Sequence, residues 1–240
     1  MNLVIDVGNT LHKIAVFSEG NMLYCQSFPA ISEKTLASIF DVYPVDFSII
    51  SSVLDCDAHY AGYLEKRTKR IPFSHQTPLP ITIMYKNAKT LGLDRIANAV
   101  GAAAQYPNRN LLSIQAGTCL VLDFINENGA YLGGSISPGL KMRFDTLHEK
   151  TKKLPLLSAI ETNPSFLGTD SEESILSGVM VGICKEIDGF IEDYKKEFDD
   201  PVVLFSGGDA PCLQKLIKNT IFAAPNIVLK GLNEIINYNV

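Results

Sequence analysis

Leu112 to Ile125 repeats the pattern of Leu3 to Val16, and this internal echo constrains the fold more than any other feature of the 240-residue chain. In each stretch an apolar run ends on a polar residue, Asp6 or Gln115. A glycine turn follows, at Gly8 or Gly117, and a second apolar run begins. Apolar runs broken by turn residues read as strand, turn, strand. Repeats that build solenoids recur at periods of about 20 to 50 residues. A single echo at a much longer offset points instead to a duplicated domain. Tyr106-Pro107-Asn108 is a break suited to a boundary, so domains at 1–108 and 109–240 are expected.

Between and after these hairpins the periodicity alternates. A third strand is expected over Met22 to Phe28, a helix over Glu33 to Phe40, and a strand at Phe47 to Ile50. A polar helix near His59 to Lys66, a strand near Ile81 to Met84 and a helix over Leu93 to Ala104 come next. The second half supplies a strand from Ala130 to Ile136, a break at Ser137-Pro138-Gly139, a long helix over Ser171 to Glu197 and a strand at Val202 to Phe205. A helix-strand-helix pattern closes the chain. Strands alternating with helices define an α/β class.

Bulk composition narrows the function classes. With 46% hydrophobic and 20% charged residues and a net charge of −5, the chain reads as a globular protein without general affinity for nucleic acid. Asp6, Asn9, His12 and Lys13 interrupt the first apolar stretch, which reads against a signal peptide, and no run reaches membrane-spanning length. Cys25, Cys56, Cys119, Cys184 and Cys212 form no Cys-x-x-Cys pair and no metal spacing with His12, His59, His75 or His148, so buried reduced thiols and a cytoplasmic address are expected.

Four segments could carry chemistry. Asp6-Val7-Gly8-Asn9-Thr10-Leu11-His12-Lys13 offers backbone N–H groups at a glycine, side-chain donors, a cation at Lys13, and an acid that could hold hydrated Mg²⁺. A plain hairpin turn would also satisfy Gly8-Asn9, but explains neither Asp6 nor Lys13. Neither a Walker A loop nor a Gly-x-Gly-x-x-Gly occurs. In Gly92-Leu93-Asp94-Arg95, Asp94 could accept a hydroxyl proton and Arg95 could fork onto a carboxylate, though spacing alone favours Asp94 as a helix N-cap. Tyr131 to Gly139 combines paired glycines with a Pro-Gly break, which packing alone could demand. Ser206-Gly207-Gly208-Asp209 ends a strand where an adenosine could lie on bare backbone, or where a loop turns.

Taken in order, these segments resemble the type III pantothenate kinases over essentially the whole chain. The resemblance rests on Asp6, Gly8, Asn9, Thr10 and Lys13, then Gly92, Asp94 and Arg95, then Gly117 and Thr118. Tyr131 to Gly139, Lys153-Leu154-Pro155 and Gly207-Gly208 complete it. It implies two ribonuclease H-like domains of actin-like ATPase type with an interdomain nucleotide cleft, and transfer of the ATP γ-phosphate to the primary hydroxyl of pantothenate. It implies Asp94 as base and Asp6 to Lys13 with Thr118 on ATP, Mg²⁺ reaching Asp6 through water. It implies Tyr85, Gly92, Leu93, Asp94 and Arg95 on pantothenate, with the Ser171 hydroxyl lent across a homodimer interface. The base overrides the cap as the expected role of Asp94, although one residue could serve both.

One hairpin departs from the family's pattern. The acid that would hold a monovalent cation, potassium or ammonium, is Gln115, whose amide oxygen can ligate but brings no charge. Cys119, Leu120 and Val121 stand where Ala, Thr and Thr are usual, and Asn87-Ala88 where Asn-Pro is usual. These changes leave a diverged nucleotide-binding regulator as the alternative, against which Asp6, Lys13, Asp94 and Arg95 argue. An exopolyphosphatase or an Hsp70-like ATPase would lack the Gly-x-Asp-Arg segment.

Overall fold

The computed structural model describes residues 1–52, 57–159 and 164–240, the side chains of residues 57–59 excepted. The elements run β1 (Asn2–Val7), β2 (His12–Ser18), β3 (Asn21–Phe28), α1 (Glu33–Phe40), β4 (Phe47–Ser52), α2 (Asp57–Glu65), β5 (Lys69–Ile71), β6 (Thr82–Ile83) and α3 (Leu93–Gln105). They continue with β7 (Leu111–Ala116), β8 (Cys119–Ile125), β9 (Ala130–Pro138), α4 (Leu140–Glu149), α5 (Ser171–Leu176), α6 (Gly182–Glu197), β10 (Val202–Ser206), α7 (Ala210–Leu213), β11 (Phe222–Ala223) and α8 (Ile227–Tyr238). Among the described residues no helix is long and apolar enough to cross a membrane.

The chain divides into two compact units. The first comprises Met1–Pro107, Gly129–Tyr131 and Asn226–Val240; the second comprises Asn108–Asn128 and Leu132–Pro225. This differs from the cut at residue 108 in sending Gly129–Tyr131 and the terminal helix back to the first unit. The cause is the apolar face of α8: Ile227, Leu229, Leu232, Ile235 and Ile236 are buried, and the helix packs on α3, β1 and β4. Buried Asn233 also accepts a hydrogen bond from Asn2 Nδ2 at 2.9 Å. A stripe of that width cannot be left in water at about 25 cal/mol per Å² of apolar surface.

Within the first unit the sheet order is β3-β2-β1-β4-β5, with β1 antiparallel to β2 and parallel to β4. Leu3, Ile5, Val7, Ile14 and Val16 meet Leu36, Ile39, Tyr60 and Leu64 on one face, giving a core under α1 and α2. Within the second unit the order read from the other edge is β9-β8-β7-β10-β11, with β7 antiparallel to β8 and parallel to β10. The two orders coincide over these five strands; the second sheet adds a sixth, β6, beside β9. The echo between Leu3–Val16 and Leu112–Ile125 is therefore the same hairpin at the centre of two sheets.

The second core gathers Leu112, Ile114, Leu120, Leu122 and Phe124 against Phe144, Val179, Ile183, Ile187 and Ile191. Phe124 stacks on Tyr194 and Phe198 with ring centroids 5.1 and 4.0 Å away. The expected long helix over Ser171 to Glu197 is α5 and α6 joined by a π-helical segment, Ser177–Val181. Helix α4 follows the Pro-Gly break directly; its mostly polar sequence buries only Leu140 and Phe144, a weak periodic signal. The cysteines correct the expectation of buried thiols. Cys184 is buried, but Cys119 and Cys212 are half-buried and Cys25 is exposed on the sheet-edge strand β3. Cys56 and the side chain of His59 lie outside the described residues.

Candidate functional site

In the first unit the loop between β1 and β2 closes through the Gly8 N–H, which donates to Leu11 O at 3.3 Å. Asn9, Thr10 and Leu11 are exposed on it, whereas Val7 is buried. Strand pairing sets what surrounds Asp6. Lys13 is its partner across β2 and Ser51 its partner across β4. Ser51 is fully buried and its Oγ has no hydrogen-bond partner; His12 Nδ1 is likewise buried and unpartnered. Burial raises the Asp6 carboxyl to about 6, the Asp94 carboxylate adds to the rise, and Lys13 opposes it.

Asp94 therefore lies within electrostatic reach of Asp6, and it is not the helix cap favoured by spacing. The N-cap of α3 is Gly92, with Leu93 and Asp94 in the first turn. A Cβ at Gly92 would stand 2.4 Å from Asp94 Oδ1, so the bare glycine leaves space for the carboxylate. One residue later Arg95 is buried, 6% exposed, with its guanidinium carbon 5.9 Å from the Tyr85 ring centroid and 6.0 Å from that of Tyr131. The two rings are 5.9 Å apart. These distances suit cation–π contact. Tyr131 reaches this group because Thr82 and Ile83 of β6 pair with Ala130 and Tyr131 of β9. Sequence reasoning missed Tyr131 and Ser51 as site residues. Tyr131 carried a signal, being the aromatic that opens the glycine-rich segment, whereas nothing local distinguishes Ser51.

In the second unit the β7–β8 turn closes by the Gly117 N–H to Cys119 O at 3.0 Å, with Thr118 exposed at its tip. Gln115 takes the place that Asp6 holds in the first sheet and pairs in register with Ser206. Its buried Nε2 has no partner. Two glycines press on the turn. A Cβ on Gly207, at φ +104°, would lie 2.1 Å from Ala116 O, and one on Gly139 would lie 2.0 Å from Gly117 O. Asp209 lies beside them: its N–H donates to Ala116 O at 3.0 Å, burial raises its carboxyl, and the Leu140 N–H opposes that rise. A cleft of about 520 Å³ opens from Asp209 along Leu140, Phe144, Leu156 and Leu157.

Ser171 is exposed in the first turn of α5 of the second unit. That turn is built by reciprocal capping: Asp170 Oδ1 accepts from the Glu173 N–H at 2.8 Å, while Glu173 Oε2 accepts from the Thr169 N–H and hydroxyl at 2.8 and 2.7 Å. The Thr169 bonds hold the Glu173 carboxyl below its usual range. Among the described residues no group of three His, Cys, Asp or Glu side chains is placed to hold a metal ion.

Chemically, Asp6 and Asp94 form a like-charged pair beside Lys13, whose joint ionisation a divalent cation would favour. Gln115 supplies an uncharged amide in the corresponding position, a donor or an oxygen ligand according to its orientation.

Comparison with known proteins completes the picture. A family model for type III pantothenate kinase matches residues 2–193. Proteins named type III pantothenate kinase from Flavobacterium johnsoniae and Cytophaga hutchinsonii are 40% and 43% identical over 242 and 240 residues, the alignment covering 100% of this chain and 99% and 100% of theirs. Among solved structures, the activator of 2-hydroxyisocaproyl-CoA dehydratase from Clostridium difficile with bound ADPNP superposes with a TM-score of 0.55 at 13% identity, covering 99% of this chain and 96% of that one. The ROK hexokinase from Thermus thermophilus gives 0.50 at 12%, covering 97% of each chain. At such identities the likeness establishes the fold, two ribonuclease H-like domains of the actin-like ATPase and sugar-kinase kind. On the match of the family model and of full-length relatives near 40% identity, the chain belongs to the type III pantothenate kinase family.

Proposed function

We propose that this protein transfers the γ-phosphate of ATP to the primary hydroxyl of pantothenate, giving 4'-phosphopantothenate in the first step of coenzyme A synthesis. The observation that carries the reading is Asp94 in the first turn of α3, within electrostatic reach of Asp6 and one residue before the tyrosine-flanked Arg95. Phosphoryl transfer asks a protein chiefly for in-line positioning and charge neutralisation, with a group to receive the hydroxyl proton. Asp94 receives that proton. Tyr85, Gly92, Leu93, Arg95 and the Ser171 hydroxyl hold pantothenate, with Arg95 on its carboxylate.

The Asp6 to Lys13 loop and Thr118 hold the phosphates, and the cleft beside Asp209 seats the adenosine. Mg²⁺ would be held through water by Asp6 and would neutralise phosphate charge. Asp6, half-buried at the cost of a raised pKa, fits such a partner. We place the enzyme in the cytoplasm as a homodimer sharing its active sites; exposed Phe166 and Leu167, 83% and 64% accessible and close in sequence to Ser171, favour an apolar partner surface there.

The test is pantothenate phosphorylation by the purified protein with ATP and Mg²⁺, with and without potassium or ammonium. Turnover is expected, and its absence under every salt overturns the reading. At Gln115 the monovalent-cation site lacks its charge, so weak or no salt activation is expected. Gln115→Asp should restore a clear potassium or ammonium dependence; an unchanged salt response would remove residue 115 from that site.

A further inference from the structure

We propose that Arg143 and Glu186, which touch no nucleotide in the function proposed above, are positioning residues that set ATP affinity by holding the Thr118 turn; the inference rests on that reading of Thr118. The connection runs through hydrogen bonds and close backbone contacts within the second unit. Turn residue Thr118 offers its carbonyl to the Gly139 N–H at 3.2 Å, and the Cα of Gly139 lies so close that an added Cβ would stand 2.5 Å from that carbonyl oxygen. Any shift of Gly139 must therefore move the turn.

Gly139 is itself the last residue before α4, and the bend leading into it is clamped from two helices. Arg143 of α4 donates from Nε to Pro138 O at 2.8 Å and from Nη2 to Ser137 Oγ at 3.2 Å. Its Nη2 also pairs with Glu186 Oε2 of α6, and Ser137 Oγ donates to Glu186 Oε1 at 2.5 Å. Arginine and glutamate side chains are 20% and 24% exposed, so water and salt screen the pair little. Three acceptors in two directions demand a planar fork, which lysine lacks.

Helices α4 and α6 are thus tied to one side of the turn, while Gly207 and Asp209 meet Ala116 at its other side. Thr118 is exposed at the tip, and an exposed tip gains order only from what grips its base. Loosening the grip lets the turn sample positions that do not meet a phosphate, and the apparent affinity falls by the fraction of time spent there.

The experiment measures the ATP dissociation constant directly, together with KM for ATP and for pantothenate, in the full-length protein. Arg143→Lys keeps the charge and removes the fork, and Glu186→Ala removes the other half. Each is expected to weaken ATP binding about tenfold while KM for pantothenate changes less than about twofold. Glu186→Gln, which keeps the hydrogen-bond geometry, should recover most of the affinity. Deuterium uptake by residues 116–119 should be slow in the parent with ATP and faster in the variants.

Unchanged ATP affinity in folded Arg143→Lys and Glu186→Ala proteins, even with a lowered melting temperature, would make the pair a structural brace only and overturn the proposal. Should one of Arg143→Lys and Glu186→Ala fail to fold, the other and the exchange rates of the parent still decide it: a turn that exchanges no more slowly with ATP bound is not the gripped element. A parent that binds no ATP overturns the kinase reading along with this one, whereas a parent that binds ATP beside variants that bind it equally well overturns this one alone.

Discussion

Replacing Asp94 by alanine is expected to lower kcat for pantothenate phosphorylation by about 10² to 10⁴, the usual worth of a positioned general base. ATP binding and the fold should survive, because the helix does not depend on this side chain for its cap. Gly92 occupies the N-cap of α3, and Asp94 in the first turn contributes only a charge-dipole term of about 0.3–1 kcal/mol. Asp94→Asn should behave alike, since an amide of the same shape accepts no proton. A folded Asp94→Ala protein with near-normal kcat would remove Asp94 from catalysis; an unfolded one would show that its main work is structural. Either variant should also let the Asp6 carboxyl fall from about 6, because the Asp94 carboxylate is the second cause of its rise.

Asp6→Asn is the second large effect, and it separates function from stability by pH. The Asp6 carboxyl rises from 3.8 to about 6 on folding, mainly through burial. Its raised value means that the folded protein holds a proton which the unfolded chain has released, so between pH 3.8 and about 6 stability falls as pH rises. Below that window both states are protonated and no cost exists; above it the cost is complete, at most roughly 3 kcal/mol.

Asp6→Asn should therefore raise the melting temperature by several degrees above about pH 7 and leave it nearly unchanged near pH 3.5. Turnover should fall sharply. Equal stabilisation at both pH values, or none, would contradict the account of Asp6. Addition of ATP with Mg²⁺ should raise the melting temperature of the parent at neutral pH more than that of the variant, because a cation near the carboxylate offsets its cost. An ionised acid kept half-buried at the expense of stability is what a site awaiting positive charge looks like.

Much of this is legible in the sequence. The echo of Leu3–Val16 in Leu112–Ile125 predicted paired hairpins, and the two sheets share one order over five strands. The hairpins carry their own signal, since apolar runs and glycine turns are local properties. Helix α3 was legible for the same reason, being rich in alanine with Gly101 as its one interior glycine. Helix α4 was not, as its ten residues bury only two side chains. The role of Asp94 was misread locally: an acid near a helix start resembles a cap, and only the φ/ψ of Gly92 shows where the helix begins. Ser51 was invisible, because its importance comes from lying opposite Asp6 in a strand formed far along the chain.

By itself the sequence determined the α/β class, the duplicated hairpins, the order of motifs and the family they belong to, all of which depend on residues near one another in the chain. Tertiary structure decided the rest. It set Lys13 and Ser51 on either side of Asp6, brought Asp94 within electrostatic reach of that carboxylate, placed Arg95 against Tyr85 and Tyr131, returned α8 to the first unit, and tied Glu186 to the Thr118 turn through Arg143 and Gly139. The reason is physical: periodicity and turn chemistry are written in consecutive residues, whereas register, burial and charge pairing arise only when distant segments bury their apolar faces together.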